Sequence, residues 1–384
     1  MIENIDWKGL KPRILNAFAG FDRGVLLALA MLCSAGLLIM YSAGYDFGTR
    51  FLEHARNMLI GGTIMFLVAQ VPPQRLMAFA VPLYTLGVML LVATALFGMT
   101  KKGATRWLNV GVVIQPSEIL KIAAPLMLAW WFQRREGQLQ RGDFWIAGLM
   151  LLVPAGLIAK QPDLGTAILV FSAGFYVMFF AGFPWKLILP VIVAGAVGVV
   201  ALVIAEPTIC QPEVHWPGLR DFQKHRICTL LDPTKDPLGK GFHIIQGTIA
   251  IGSGGITGKG FMQGTQTHLE FIPERTTDFI FAAYSEEFGF LGGLFLIIGF
   301  SLLILRGLAI AAEAPTVFTR LLAGAVTLSF FTYAMVNMGM VSGILPVVGV
   351  PLPFVSYGGT AMVMLGLSLG ILMSIAKSRR LVQS

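Results

Sequence analysis

This sequence predicts an all-α, polytopic integral membrane protein of about ten transmembrane helices, with one long extracytoplasmic loop between the seventh and eighth. Three observations carry that reading. Hydrophobic residues make up 56% of the chain and charged ones only 12%, where a soluble domain carries about 25% charged residues; the mean hydropathy is +0.76. Leu321 to Ala376 contains no charged residue, and at about 20 residues per crossing that stretch alone holds two helices. Basic residues recur in short clusters between apolar runs, such as Arg134-Arg135 and Lys377-Ser-Arg-Arg380. That is the pattern of cytoplasmic loops, so the net charge of +8 implies no nucleic-acid partner.

Along the chain, residues 1–23 mix Asp6, Lys8, Lys11, Arg13 and Arg23 with apolar residues. They predict a retained cytoplasmic segment rather than a cleaved signal peptide, because the run that follows is long enough to span. Low-charge runs then place the spans at roughly 24–45, 57–74, 76–99, 110–132, 144–160, 163–182, 187–205, 279–305, 321–342 and 353–376, by the length criterion. With the N-terminus inside, the inner connections hold Arg75, Arg134, Arg135, Arg141, Lys186, Arg306, Arg320, Lys377, Arg379 and Arg380. The short outer loops hold Arg50, Arg56, Lys101, Lys102, Arg106 and Lys160. The bias puts both termini in the cytoplasm. Lys101, Lys102 and Arg106 sit on the disfavoured side, either as an anion site or as a tolerated deviation.

Residues 206–277 form the long outer loop. Its seven Lys and Arg residues do not oppose this placement, since long loops translocate largely regardless of charge. Loops of this length are usually functional. Glycines from Gly247 to Gly264, interleaved with Ile249, Ile251 and Phe261, predict pieces that dip into the interface. Cys210 and Cys228 lie in this loop and Cys33 in the first span. In an oxidising compartment the loop pair forms a structural disulfide or remains two free thiols. With no internal repeat and no separable soluble domain, residues 1–384 read as a single membrane domain.

Soluble-enzyme signatures are absent: there is no Walker loop and no zinc-ligand spacing, and the five histidines are scattered. The polar residues within or beside apolar runs are more informative. Glu118 and Lys121 lie three apart in Gln115-Pro-Ser-Glu-Ile-Leu-Lys121, on one helix face. They read as a structural ion pair or as a cavity wall that meets a charged substrate. Asp163 follows Pro162 at the start of a run, where it caps a helix or contacts a metal or substrate. Arg226, Lys224 and Lys240 in the long loop are candidate pyrophosphate ligands, because guanidinium and ammonium groups pair strongly with phosphate. Asp278 ends the long loop and opens the eighth run. It is either a helix cap or a base beside apolar surface. Glu286 and Glu287 follow in the same run, so at least one should face the protein interior.

Six motifs in order resemble the SEDS family (shape, elongation, division and sporulation). They are Lys102-Gly-Ala-Thr-Arg-Trp-Leu108, Gln115-Pro-Ser-Glu-Ile-Leu-Lys121, Gln161-Pro-Asp-Leu-Gly-Thr-Ala167 and Leu231-Asp-Pro-Thr-Lys-Asp-Pro-Leu-Gly239. Pro273-Glu-Arg-Thr-Thr-Asp-Phe-Ile-Phe281 and Leu345-Pro-Val-Val-Gly-Val-Pro-Leu-Pro-Phe-Val-Ser-Tyr-Gly-Gly359 complete the set. The resemblance implies a peptidoglycan glycosyltransferase that polymerises lipid II at the outer face of the bacterial cytoplasmic (inner) membrane, with overall likeness to members that serve elongation and rod shape. It implies a class B penicillin-binding transpeptidase and elongation-complex membrane proteins as partners, and an undecaprenyl-pyrophosphate-linked glycan as substrate. It carries the catalytic aspartate to Asp278 and the family's membrane-embedded pair to Glu118 and Lys121. It also implies a divalent cation, magnesium or manganese, and no organic cofactor. Arg106, Lys121, Arg226 and Lys240 are then candidates to counter the pyrophosphate charge. A lipid II flippase and a non-catalytic scaffold of the elongation machinery are the competing readings.

Overall fold

The structure, a computed structural model, describes residues 20–101, 104–109, 111, 113–211, 213–214, 216, 221–236, 239–272 and 274–383. The side chains of 101, 104, 221–223, 226, 235, 240 and 379–383 lie outside that description. Helix α1 (Arg23–Ala43) starts where Asp22 accepts from the Val25 amide, so the acid that interrupts the first basic segment is an N-cap. Helix α2 (Arg50–Ala69) begins earlier than the expected 57, because Arg50, Glu53, His54 and Asn57 all join its first turns. Pro72 and Pro73 break the chain into a short α3 (Pro73–Ala78) before α4 (Ala80–Phe97). The next connection departs from an all-helical reading. Strands β1 (Met99–Lys101), β2 (Ala104–Asn109) and β3 (Val113–Ile114) form a three-stranded antiparallel sheet in the order β1-β2-β3. Thr100, Thr105, Trp107, Val113 and Ile114 supply its β-favouring side chains. Helix α5 (Pro116–Arg134) follows with Pro116 at its first turn.

Helices α6 (Arg141–Lys160), α7 (Leu164–Phe180) and α8 (Trp185–Ile209) come next. Only 6% of the most apolar window of α8 is buried within the protein, so its sides are left to lipid. The long loop is largely helical, with α9 (Asp221–Leu231), α10 (Lys240–Ser253) and a single turn, α11 (Thr265–His268). Cys210 and Cys228 are bonded, Cα to Cα 5.6 Å, which ties the C-terminal end of α8 to α9. The chain finishes with α12 (Ile280–Ala312), α13 (Val317–Val341) and α14 (Gly359–Gln383). Among the described residues, seven helices (α1, α4, α6, α8, α12, α13 and residues 359–378 of α14) are long and apolar enough to cross a membrane. The other three expected spans are helical too: α2 and α5 carry charged residues and α7 has 17 residues. The chain is a multi-pass membrane protein.

Helix α12 is broken, where the sequence reads as one uninterrupted span. Gly289 sits at φ 63° and ψ −159°, a conformation open to glycine. The glycine-rich segment fills the break with backbone: Phe290 N donates to Gly255 O (2.9 Å) and Leu291 N to Ile256 O (3.1 Å). Lys259 N and Gly260 N donate to the carbonyls of Glu286 and Glu287, both at 3.0 Å. These bonds satisfy groups that the break would otherwise orphan in a buried setting. A Cβ on Gly289 would lie 2.3 Å from Gly258 N. Elsewhere, α2 and α14 cross at a small-residue contact, where a Cβ on Gly366 would lie 2.2 Å from Gly61 O.

Several ion pairs join one helix or loop to another. Arg306 with Asp22 and Arg135 with Asp143 join expected inner segments. Arg275 with Asp46 joins two expected outer loops, while Arg106 with Asp163 and Lys259 with Glu286 each join an expected outer loop to an expected span.

Candidate active site

The helix-cap alternative for Asp278 fails. Phe279 occupies the N-cap position of α12, and no side chain caps that terminus. The backbone around the aspartate is held from several sides. The carbonyls of Thr276, Thr277 and Asp278 accept in turn from Tyr357 N (2.8 Å), Ser356 Oγ (2.7 Å) and Asn337 Nδ2 (2.9 Å). Two residues upstream of Thr277, Arg275 is only 3% exposed. Its Nε donates to Ala43 O (3.0 Å), at the end of α1, and its Nη2 to Asp46. The guanidinium also stacks over Tyr45 and Phe47. Asp278 thus projects from a loop pinned to α1, α13 and the segment before α14.

That last segment lies against the carboxylate. Gly349 has φ 72°, and a Cβ there would sit 3.3 Å from Asp278 Oδ2. His243 of α10 lies beside the next residue, its ring 5.7 Å from that of Phe279. Burial pushes this imidazole below its ordinary value, with Glu274 opposing the shift, so it is neutral at physiological pH.

A second polar group lies near the same segment. The start of α7 packs there, since a Cβ on Gly165 would be 2.6 Å from Val348 O. Asp163 does cap α7, accepting from Thr166 N. It also accepts from Gln115 Nε2 (3.1 Å) and pairs with Arg106 at 3.7 Å. Arg106 donates to Pro162 O as well (2.6 Å) and stays 28% exposed at its side chain. It keeps access to an anion while its position is fixed by α7. Lys121 and Glu118 form the expected pair, 2.6 Å apart and nearly buried. Lys121 also reaches over the Tyr333 ring and lines a small cavity with Ser329 and Ser368. Lys121 is thus ion-paired and also lines that cavity.

The side chains of Arg226 and Lys240, and those of Lys101 and Lys102, lie outside the described residues. Among the described residues no three His, Cys, Asp or Glu side chains converge to hold a metal ion. Sequence reasoning missed Asn337, Ser356, Arg275 and Gly349 as site residues. A lone asparagine in a charge-free membrane run was a usable signal; the others acquire their meaning only from what they touch.

A family profile described as cell cycle protein, for FtsW, RodA and SpoVE, matches residues 21–381. This chain belongs to the FtsW/RodA/SpoVE family. It is 47% identical over 360 residues to the protein named peptidoglycan glycosyltransferase MrdB of Escherichia coli (strain K12), covering 93% of this chain and 94% of that one. The peptidoglycan glycosyltransferase RodA of Treponema pallidum is 31% identical, with 94% and 98% covered. A solved chain from a study of polymerization and crosslinking by a peptidoglycan synthase complex matches with a TM-score of 0.75 at 30% identity, covering 94% and 98%. The family's fold therefore extends over nearly the whole chain.

Proposed function

We propose that this protein is a peptidoglycan glycosyltransferase that polymerises lipid II at the outer face of the cytoplasmic membrane, with Asp278 as general base. The observation that carries the activity is likeness along nearly the whole chain to a protein named for it. In the proposed reaction the 4-hydroxyl of a lipid-linked acceptor attacks the anomeric carbon of the donor with inversion. The hydroxyl proton passes to the Asp278 carboxylate, and undecaprenyl pyrophosphate leaves with the electrons of the broken glycosidic bond. Pyrophosphate is a good leaving group, so one carboxylate suffices where glycoside hydrolysis uses two. Arg106 and Lys121 are proposed to meet the developing charge, with Arg226 and Lys240 as further candidates from the long loop. A divalent cation, magnesium or manganese, is proposed to accompany the pyrophosphate, since magnesium favours one or two carboxylates plus substrate phosphates. A crosslinking class B transpeptidase and elongation-complex membrane proteins are the proposed partners, with both termini cytoplasmic.

The test is purified full chain in detergent with labelled lipid II and magnesium. Detergent removes the two compartments, so flipping cannot register. Asp278→Asn should lower glycan polymerisation by about 10²–10⁴-fold, the usual worth of a positioned base. Equal polymer from a folded Asp278→Asn variant sinks Asp278 as the base. No polymer from wild type, with or without a transpeptidase, favours a flippase or scaffold.

A further inference from the structure

We infer that Asn337, in the last turns of the membrane-length helix α13, is the positioning residue that sets Asp278 against the Val348–Val350 segment. The inference rests on the proposed role of Asp278. Asn337 is fully buried, and its single Nδ2 donates twice: to Asp278 O at 2.9 Å and to Val350 O at 2.7 Å. One side chain thus spans the carbonyl of the proposed base and the segment whose Gly349 lies against its carboxylate. That segment also packs on the start of α7, next to Asp163 and its partner Arg106. Asn337 therefore ties Asp278 to a segment that also touches the start of α7.

The amide's orientation is not arbitrary. Both neighbours are carbonyl oxygens, so only the NH₂ end can face them. Its own Oδ1 is buried with no partner among the described residues. A buried acceptor left unpaired is destabilising, and a residue needed only to fill space would avoid that cost as leucine. Retaining an amide here makes sense where two backbone segments must be held at a fixed separation. Ser356 repeats the arrangement one residue earlier, donating to Thr277 O while accepting from Leu352 N (2.8 Å). Asn337 is the link that reaches Asp278 itself.

Replacing the amide by a carboxylic acid makes the idea testable. In Asn337→Asp the new group can donate only when protonated; ionised, it repels both carbonyls. The measurement is kcat and KM for labelled lipid II as a function of pH, using full chain that is monodisperse in detergent. We expect kcat to fall about 10–100-fold near pH 7.5, in line with the cost of misplacing a reacting group by up to an ångström. KM should stay within about threefold, and activity should recover partly as pH falls. Asn337→Ser, which can make at most one of the two bonds, guards against a misfolded Asp variant and should show the same kcat loss without the pH rescue. Wild-type kcat in both folded variants, or a raised KM with unchanged kcat, overturns the inference. Asp278→Asn run alongside separates the two proposals: if it retains full activity the base assignment fails, and if it is inactive while both Asn337 variants are normal, only the positioning role fails.

Discussion

Removing the Lys259 ammonium should release the glycine-rich segment from the broken helix, and the structure sets the size of the effect. Glu286 is fully buried. It accepts from Lys259 Nζ at 2.6 Å, Gln266 N at 2.9 Å, Thr265 Oγ1 at 3.1 Å, and the Thr267 amide and hydroxyl at 3.3 Å. Taking one partner from a buried ion pair costs roughly 3–5 kcal/mol, because a charge is left uncompensated. Lys259 is 26% exposed at its side chain, and the four remaining donors still serve the carboxylate, so Lys259→Met belongs at the lower end, about 3 kcal/mol. At about 1.4 kcal/mol per factor of ten, local opening then becomes about 100-fold more frequent. The assay is hydrogen exchange of the Lys259, Gly260, Phe290 and Leu291 amides, which bond across the break, in full chain in detergent. Adding Glu286→Gln should recover part of the loss, since the orphaned charge is gone, and a double-mutant cycle measures that coupling. Protection changed by less than about threefold, or a double variant whose loss equals the sum of the singles, would refute the reasoning.

Two further outcomes follow from the loop that carries Asp278. Gly349→Ala must place a side chain at φ 72°, which costs about 1–2 kcal/mol, and its Cβ would press Asp278 Oδ2 from 3.3 Å. It should fold and polymerise lipid II roughly tenfold more slowly; activity within twofold of wild type would count against the contact. The second concerns acid. Burial works to raise the Asp46 carboxyl, but the Arg275 hydrogen bond and charge, with further hydrogen bonds, together hold the group below its usual 3.8. A depressed carboxyl contributes stability that is present above the unfolded value and lost as pH falls through the lower folded one. Wild type should therefore lose thermal stability relative to Asp46→Asn as pH drops below about 4, while the difference stays constant above that. A difference that fades at neutral pH instead would contradict the pairing.

What the sequence determined by itself was the part of the physics that acts locally or over one helix length. Apolar length against lipid thickness marked the spans, because an unsatisfied backbone or charge in hydrocarbon is costly wherever it falls. The i,i+3 spacing of Glu118 and Lys121 and the Pro162-Asp163 start of α7 were legible for the same reason: each partner lies within one helical turn. Tertiary structure decided the rest. The break at Gly289 exists because backbone some thirty residues earlier enters it, and no local pattern distinguishes that glycine from its neighbours in the same helix. Asp278 and Asn337 are separated by 59 residues, and Glu53 and Tyr357 by 304. Whether Asp278 caps its helix or is left for other work turned on where α12 begins, and that depends on Asn337, Ser356 and Tyr357 taking the three carbonyls before it. A hydrogen bond between distant segments forms only once packing has made them neighbours, so it leaves no period or spacing to read.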